Sequence, residues 1–145
     1  MKEFYNNYKY IIVGVSVWVA IQLFKTIYDS ISHKKLMLRR FWGSGGMPSS
    51  HSAVVMCLSI LVGKHFGFDS PIFALSMVFA FVVMYDAAGV RRAAGKQATL
   101  LNKIVNTPGL TGLEVQEKLV EVLGHTPVQV FVGALIGVLV GAIFG

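Results

Sequence analysis

Four stretches of this chain contain no charged side chain: residues 10–24, 52–63, 70–85 and 126–145. A perpendicular helix needs about 20 apolar residues to cross the hydrocarbon core of a bilayer. The fourth stretch reaches this length alone. The first reaches it if Lys9 and Lys25 extend their charged ends to the interface, and the second can run on to Phe68 if Lys64 does the same. The third ends at Asp86. The sequence therefore predicts an all-α membrane protein: one embedded domain over residues 1–145, with about four spans and short interfacial helices. The first apolar run has no small-residue cleavage pattern after it and reads as a retained span. Charged residues make up only 14% of the chain, against about 25% in a soluble domain. That excludes an ordinary soluble enzyme and a disordered chain, and no nucleic-acid partner is expected. The lone Cys57 excludes an intrachain disulfide framework and a cysteine-built zinc site.

The connections are unequal. A tight turn, Gly67-Phe68-Asp69-Ser70-Pro71, joins the second and third spans. Two long connections carry Lys34, Lys35, Arg39 and Arg40, then Arg91, Arg92, Lys96, Lys103 and Lys118. With an even span count both lie on one side, which with Lys25 holds 10 of the 13 Lys and Arg residues. The positive-inside rule makes that side cytoplasmic in a cell membrane, with both termini outside. A helix is expected from Ala93 to Val105. A second, amphipathic one is expected after the capping box Thr111-Gly112-Leu113-Glu114, running to Leu123 before Gly124. Gly133, Gly137, Gly141 and Gly145 line one face of the last span, which permits close helix contact within the chain or, as a homo-oligomer, between chains.

Two histidines stand in matching settings on the charged side. One follows Gly43-Ser44-Gly45-Gly46-Met47-Pro48-Ser49-Ser50 as His51; the other lies in Gly124-His125-Thr126-Pro127. Each precedes an apolar span and has glycine, proline and a Ser or Thr able to cap a helix nearby. Helix N-termini offer unpaired N–H groups and a positive dipole end, which suit a phosphate. Glycine-rich backbone adds donors, here around Ser49 and Ser50. Arg39 and Arg40 precede the first loop, while Arg92, Lys96 and Lys103 share a helical face. Imidazole can attack phosphorus to form a phosphohistidine, and a second imidazole can protonate the leaving oxygen. Each feature also has an ordinary explanation. A single histidine at a helix start usually caps or is solvated, and cations beside a membrane bind headgroups. Asp86 can simply pair with Arg91 or Arg92, and His33 and His65 read as surface residues. Two histidines in one pattern on one side carry more weight than either alone.

The segment Gly46-Met47-Pro48-Ser49-Ser50-His51-Ser52-Ala53 resembles the Pro-Ser-Gly-His motif of the type-2 phosphatidic acid phosphatase and vanadium haloperoxidase superfamily. The block from Tyr85-Asp86-Ala87-Ala88-Gly89-Val90-Arg91-Arg92 through Lys96, with Leu123-Gly124-His125-Thr126-Pro127, is similar to its short divergent branch. The resemblance implies metal-independent and cofactor-free phosphoester hydrolysis through a phosphohistidine. It makes His125 the nucleophile and His51 the general acid. It gives phosphate binding to Lys35 with Arg39 or Arg40, although the usual Arg-Pro pair is absent. Two positions depart from the pattern. Leu119 stands where an arginine precedes the nucleophile, and Gln129 where an aspartate follows it. Asp86 or Glu121 is then the candidate acid beside His125, and Arg91 or Arg92 the candidate phosphate ligand.

The expected activity is that of a membrane lipid-phosphate phosphatase, with phospholipid or polyprenyl phosphate as substrate. Orientation alone puts phosphatidylglycerol phosphate first, ahead of phosphatidic acid or a polyprenyl phosphate. The rival from another class is a non-catalytic subunit that binds anionic lipid and keeps the constellation for structure. A vanadate-using oxidase is a third reading, and membrane embedding on the cytoplasmic side argues against it.

Overall fold

The computed structural model describes residues 2–43, 45–105 and 124–145. The expected capping box at Thr111, the helix after it, and Lys118, Leu119 and Glu121 lie outside the described residues. Within them the chain is helical without strands: α1 (Lys2–Ser32), a 3₁₀ turn (Leu38–Trp42), α2 (Ser50–Phe66), α3 (Pro71–Ala88), α4 (Val90–Val105) and α5 (Pro127–Phe144). Three helical stretches are long and apolar enough to cross a membrane: Tyr8–Ser32, Pro71–Val105 with α3 as its apolar part, and Pro127–Phe144. The fourth expected span, α2, is apolar but has only 17 residues, and it packs against α1, α3 and α5.

Small side chains bring α2 and α5 together. Gly133, Gly137 and Gly141 are buried, and a methyl group on them would collide with the Ser49, Ala53 and Cys57 carbonyl oxygens of α2. In lipid, where tails are as apolar as leucine, association rests on such close packing and on interhelical hydrogen bonds. Ser59 provides one of these, its hydroxyl lying 3.1 Å from the Ser76 carbonyl of α3. The glycine face is thus used within the chain.

On α1, Val13, Val17 and Ile21 pack against Ala53, Cys57 and Leu61 of α2. Most large side chains of α3 and α5 point outward instead, among them Leu75, Phe79, Phe131 and Leu139. That is the expected arrangement for helices facing lipid.

α1 runs beyond its apolar stretch to Ser32. Its last turns carry a buried polar face of Gln22, Lys25 and Thr26, with half-buried Asp29 after it. Gln22 donates to the Phe41 carbonyl at 2.6 Å and so holds the 3₁₀ turn against α1, where Trp18, Phe41 and Trp42 cluster. At the opposite end of the bundle, Lys64 donates to the Ala142 carbonyl at 2.7 Å and Lys9 to that of Gly145 at 3.4 Å. Cations there satisfy the last carbonyls of α5 and complement its dipole.

Between α3 and α4 the chain bends only at Gly89. α4 therefore begins at Val90, earlier than the expected Ala93. It buries Gly95, Ala98 and Asn102 and exposes Arg91, Arg92, Lys96 and Lys103, the pattern of an interfacial helix.

Candidate active site

α2 and α5 are parallel neighbours, so their N-termini lie together at the basic end of the bundle. Ser49 caps α2, its hydroxyl accepting from the Ser52 N–H at 3.4 Å. Thr126 caps α5 with Pro127 behind it, and Gln129 completes a reciprocal capping box. Such a cap is worth about 1 kcal/mol. The two starts are joined directly: the Ser49 N–H donates to the Gln129 carbonyl at 3.1 Å.

This junction brings His51 and His125 together. Their ring centroids are 6.2 Å apart, with the planes inclined by 63°. His125 is buried, and its backbone N–H donates to the Ala87 carbonyl at 2.9 Å, fixing it against the end of α3. Gly124 makes the approach possible. It has φ +87°, and a side chain there would strike the backbone of Arg92. Among the described residues, the buried Nδ1 atom of His51 has no hydrogen-bond partner.

The orienting partner of His125 is Gln129, whose Oε1 lies 3.3 Å from Nδ1. The same oxygen accepts the Thr126 backbone N–H at 3.0 Å, so the amide is oriented with its carbonyl toward both groups. An acceptor at Nδ1 puts the proton there and leaves the lone pair on Nε2. Asp86 does not take this role. It pairs with Arg91 at 2.6 Å, the ordinary alternative the sequence offered, though both stand close enough to His51 to act on its charge. Burial pushes the His125 imidazole below its usual range. The Gln129 hydrogen bond and the Gly46 backbone oppose this, while the charges of His51 and Lys25 add to it.

The glycine loop folds over the pair from the α1 side. Gly45 and Gly46 have φ of +87° and +76°, and a side chain on Gly46 would collide with the Arg40 guanidinium. Arg40 pairs with Asp29 at 2.5 Å and also donates to the Gly45 carbonyl at 3.2 Å, so it braces the loop. Lys25 reaches the same carbonyl at 3.5 Å from within the bundle and is only 3% exposed.

The expected phosphate ligands are thus sorted. Ser49 and Ser50 are buried at the start of α2 beside His51. Arg91, Arg92 and Lys96 form an exposed rim on α4. Arg39 lies in the 3₁₀ turn. Lys35 is exposed beyond the end of α1. Lys25, which the sequence reading used as a membrane flank, is close enough for its charge to act on both histidines.

The bundle is thus a helical membrane domain with paired histidines at two capped helix starts beside a basic rim. The chain matches the Divergent PAP2 family over residues 6–140 and belongs to it. It is 44% identical over 129 residues to the uncharacterized membrane protein YuiD of Bacillus subtilis (strain 168), an alignment covering 81% of this chain and 82% of the relative. No solved structure matches.

Proposed function

We propose that this chain is a membrane lipid-phosphate phosphatase working through a phosphohistidine at its basic, cytoplasmic end. The observation that carries the reading is the pairing of His51 with a buried His125 whose Nδ1 faces Gln129. An imidazole that holds its proton on Nδ1 carries its lone pair on Nε2, and that atom is a competent nucleophile toward phosphorus.

In the first step Nε2 of His125 attacks phosphorus and the bond from phosphorus to the ester oxygen breaks. The departing alkoxide takes a proton from His51 and leaves as the alcohol. A bound phosphate dianion supplies the negative charge that favours this proton on His51. In the second step water attacks the phosphohistidine, gives its proton to His51, and the P–N bond breaks. Inorganic phosphate leaves, and both imidazoles return to their starting states. Lys25 and the N-termini of α2 and α5 stabilise the charge on the equatorial oxygens. Arg91, Arg92 and Lys96 draw the anionic headgroup to the site.

The test is phosphate release by the purified chain in detergent against a panel of lipid phosphates, with and without chelator. Release that survives chelator and is blocked by vanadate, which mimics pentacoordinate phosphorus, is expected. Complete loss in chelator, restored by magnesium, would overturn the mechanism. Absence of release from every lipid phosphate would favour the non-catalytic lipid-binding subunit.

A further inference from the structure

Two of the grooves that flank α1 differ in what stands at their basic ends. The groove between α1 and α5 encloses about 570 Å³, and Lys25, Asp29, Arg40 and Gly46 line its upper part. Neither histidine reaches it, and Arg40 and Asp29 are engaged with each other. The groove between α1 and α2 encloses about 360 Å³ and is closed at its basic end by Ser50 and His51. Below His51 its walls are Gly14, Val15 and Trp18 of α1, Val54 and Val55 of α2, and Val83 of α3. Tyr10 stands at the far end, stacked on Phe66.

We propose that the α1–α2 groove holds the hydrocarbon chain of the substrate, and that this substrate is a phosphate monoester whose apolar chain begins at the ester oxygen. The proposal rests on the roles assigned above. A general acid must touch the oxygen that leaves, so whatever is bonded to that oxygen lies on the acid's side. His51 is both the acid and the end wall of this groove. The nucleophile, His125, lines neither groove.

The class of alcohol follows from the walls. A glycerolipid would place ester carbonyls or hydroxyls just below His51. Apart from the Ser50 hydroxyl beside His51, the side chains there, Trp18, Val54, Val55 and Val83, are apolar but for an indole N–H, and polar groups buried without partners are costly. A long-chain or prenyl alcohol puts only carbon and hydrogen in that space. Gly14 keeps the groove open, since a methyl group there would sit 3.3 Å from Leu58. Its outer wall includes Ile11 and Val15, exposed toward the bilayer, so a chain can enter sideways from the membrane.

The test is photo-cross-linking of the full-length chain in detergent with a dodecyl phosphonate bearing a mid-chain diazirine, followed by peptide mapping. Adducts are expected on α1 between Ile11 and Trp18 and on α2 between Val54 and Leu58. Excess dodecyl phosphate should suppress them at least fivefold more effectively than phosphatidic acid. Filling the groove by Val15→Trp or Gly14→Leu should reduce them at least fivefold, whereas Ile136→Trp in the other groove should not. Adducts centred on Ile21, Val132 and Ile136, or spread over the outer faces of α3 and α5, would overturn the proposal. So would equal labelling by a diazirine alcohol without phosphorus, or equal competition by phosphatidic acid. Phosphate release from dodecyl phosphate is read separately. Adducts in the groove without release would support the groove and remove the catalytic reading.

Discussion

Gln129 holds His125 through the same oxygen that accepts the Thr126 N–H, so the cap of α5 and the orientation of the imidazole are one structure. A neutral amide thereby does the orienting without supplying a negative charge. Gln129→Leu should remove both functions. A lost hydrogen bond of about 1 kcal/mol lowers the rate roughly fivefold to tenfold, and the weakened cap lowers the melting temperature. Gln129→Asp should keep the bond and the cap. Phosphate-release rates and thermal unfolding of the two variants check this; unchanged kinetics in Gln129→Leu would show that the amide only caps.

The two histidines should differ in how their defects depend on the leaving group. His125→Ala removes the atom that bonds to phosphorus, so neither a lipid phosphate nor p-nitrophenyl phosphate should turn over above background. His51→Ala removes general-acid help worth roughly 10²–10⁴-fold. Its loss should be large for the lipid alcohol and much smaller for p-nitrophenol, which leaves readily as an anion. Steady-state rates on both substrates decide it, and the opposite pattern would exchange the roles.

Burial depresses the proton affinity of His125, which fixes the sign of two pH effects. The nucleophile stays neutral below the ordinary imidazole value of about 6.5, so the acid limb of kcat/KM should fall below that pH. Gln129→Asp places a carboxylate at Nδ1 and should move this limb upward. The unfolded chain binds the proton more readily than the folded one. His125 therefore costs stability as pH falls through about 6.5 and below, and His125→Asn should weaken that loss. A pH–rate profile and melting curves on the same variants measure both.

Lys25 should matter where Lys35 does not. A hydrogen bond from a charged donor is worth about 1.5–3 kcal/mol, so Lys25→Met should lower kcat/KM roughly 10- to 100-fold. Lys35→Met, at an exposed position, should stay within about twofold, since surface changes fall within about 0.5 kcal/mol. Equal effects would return Lys35 to the site.

Orientation can be read from a single thiol. Cys57 is fully buried, so the native chain should not react with an impermeant reagent. Lys35→Cys should label in inverted vesicles and not in intact cells; labelling of intact cells would reverse the topology.

The histidine pair was legible in the sequence because each side chain sits beside a helix start written in glycine, proline and a capping hydroxyl. The central helix and the glycine face were legible from apolar runs and from a spacing of four. Lys25 was not, because a charge ending an apolar run reads as the end of a span. The polar positions Gln22, Lys25, Thr26 and Asp29 repeat at helical spacing, and that continuation marks a helix running on into a polar site. Asp86, which the sequence offered beside His125 as an alternative to Glu121, pairs with Arg91 instead. Its carboxylate has the right chemistry, but Arg91 lies one turn away and claims it, while Gln129 stands on the turn that His125 itself precedes.

The missing methyl groups of Gly133, Gly137 and Gly141 set the separation between the axes of α2 and α5. Because each helix carries one histidine at its start, the spacing of the two imidazoles is gauged by hydrogen atoms deep in the bundle. A change in the surrounding lipid that pries the helices apart by a fraction of an ångström would alter the spacing of the reacting groups without touching either of them.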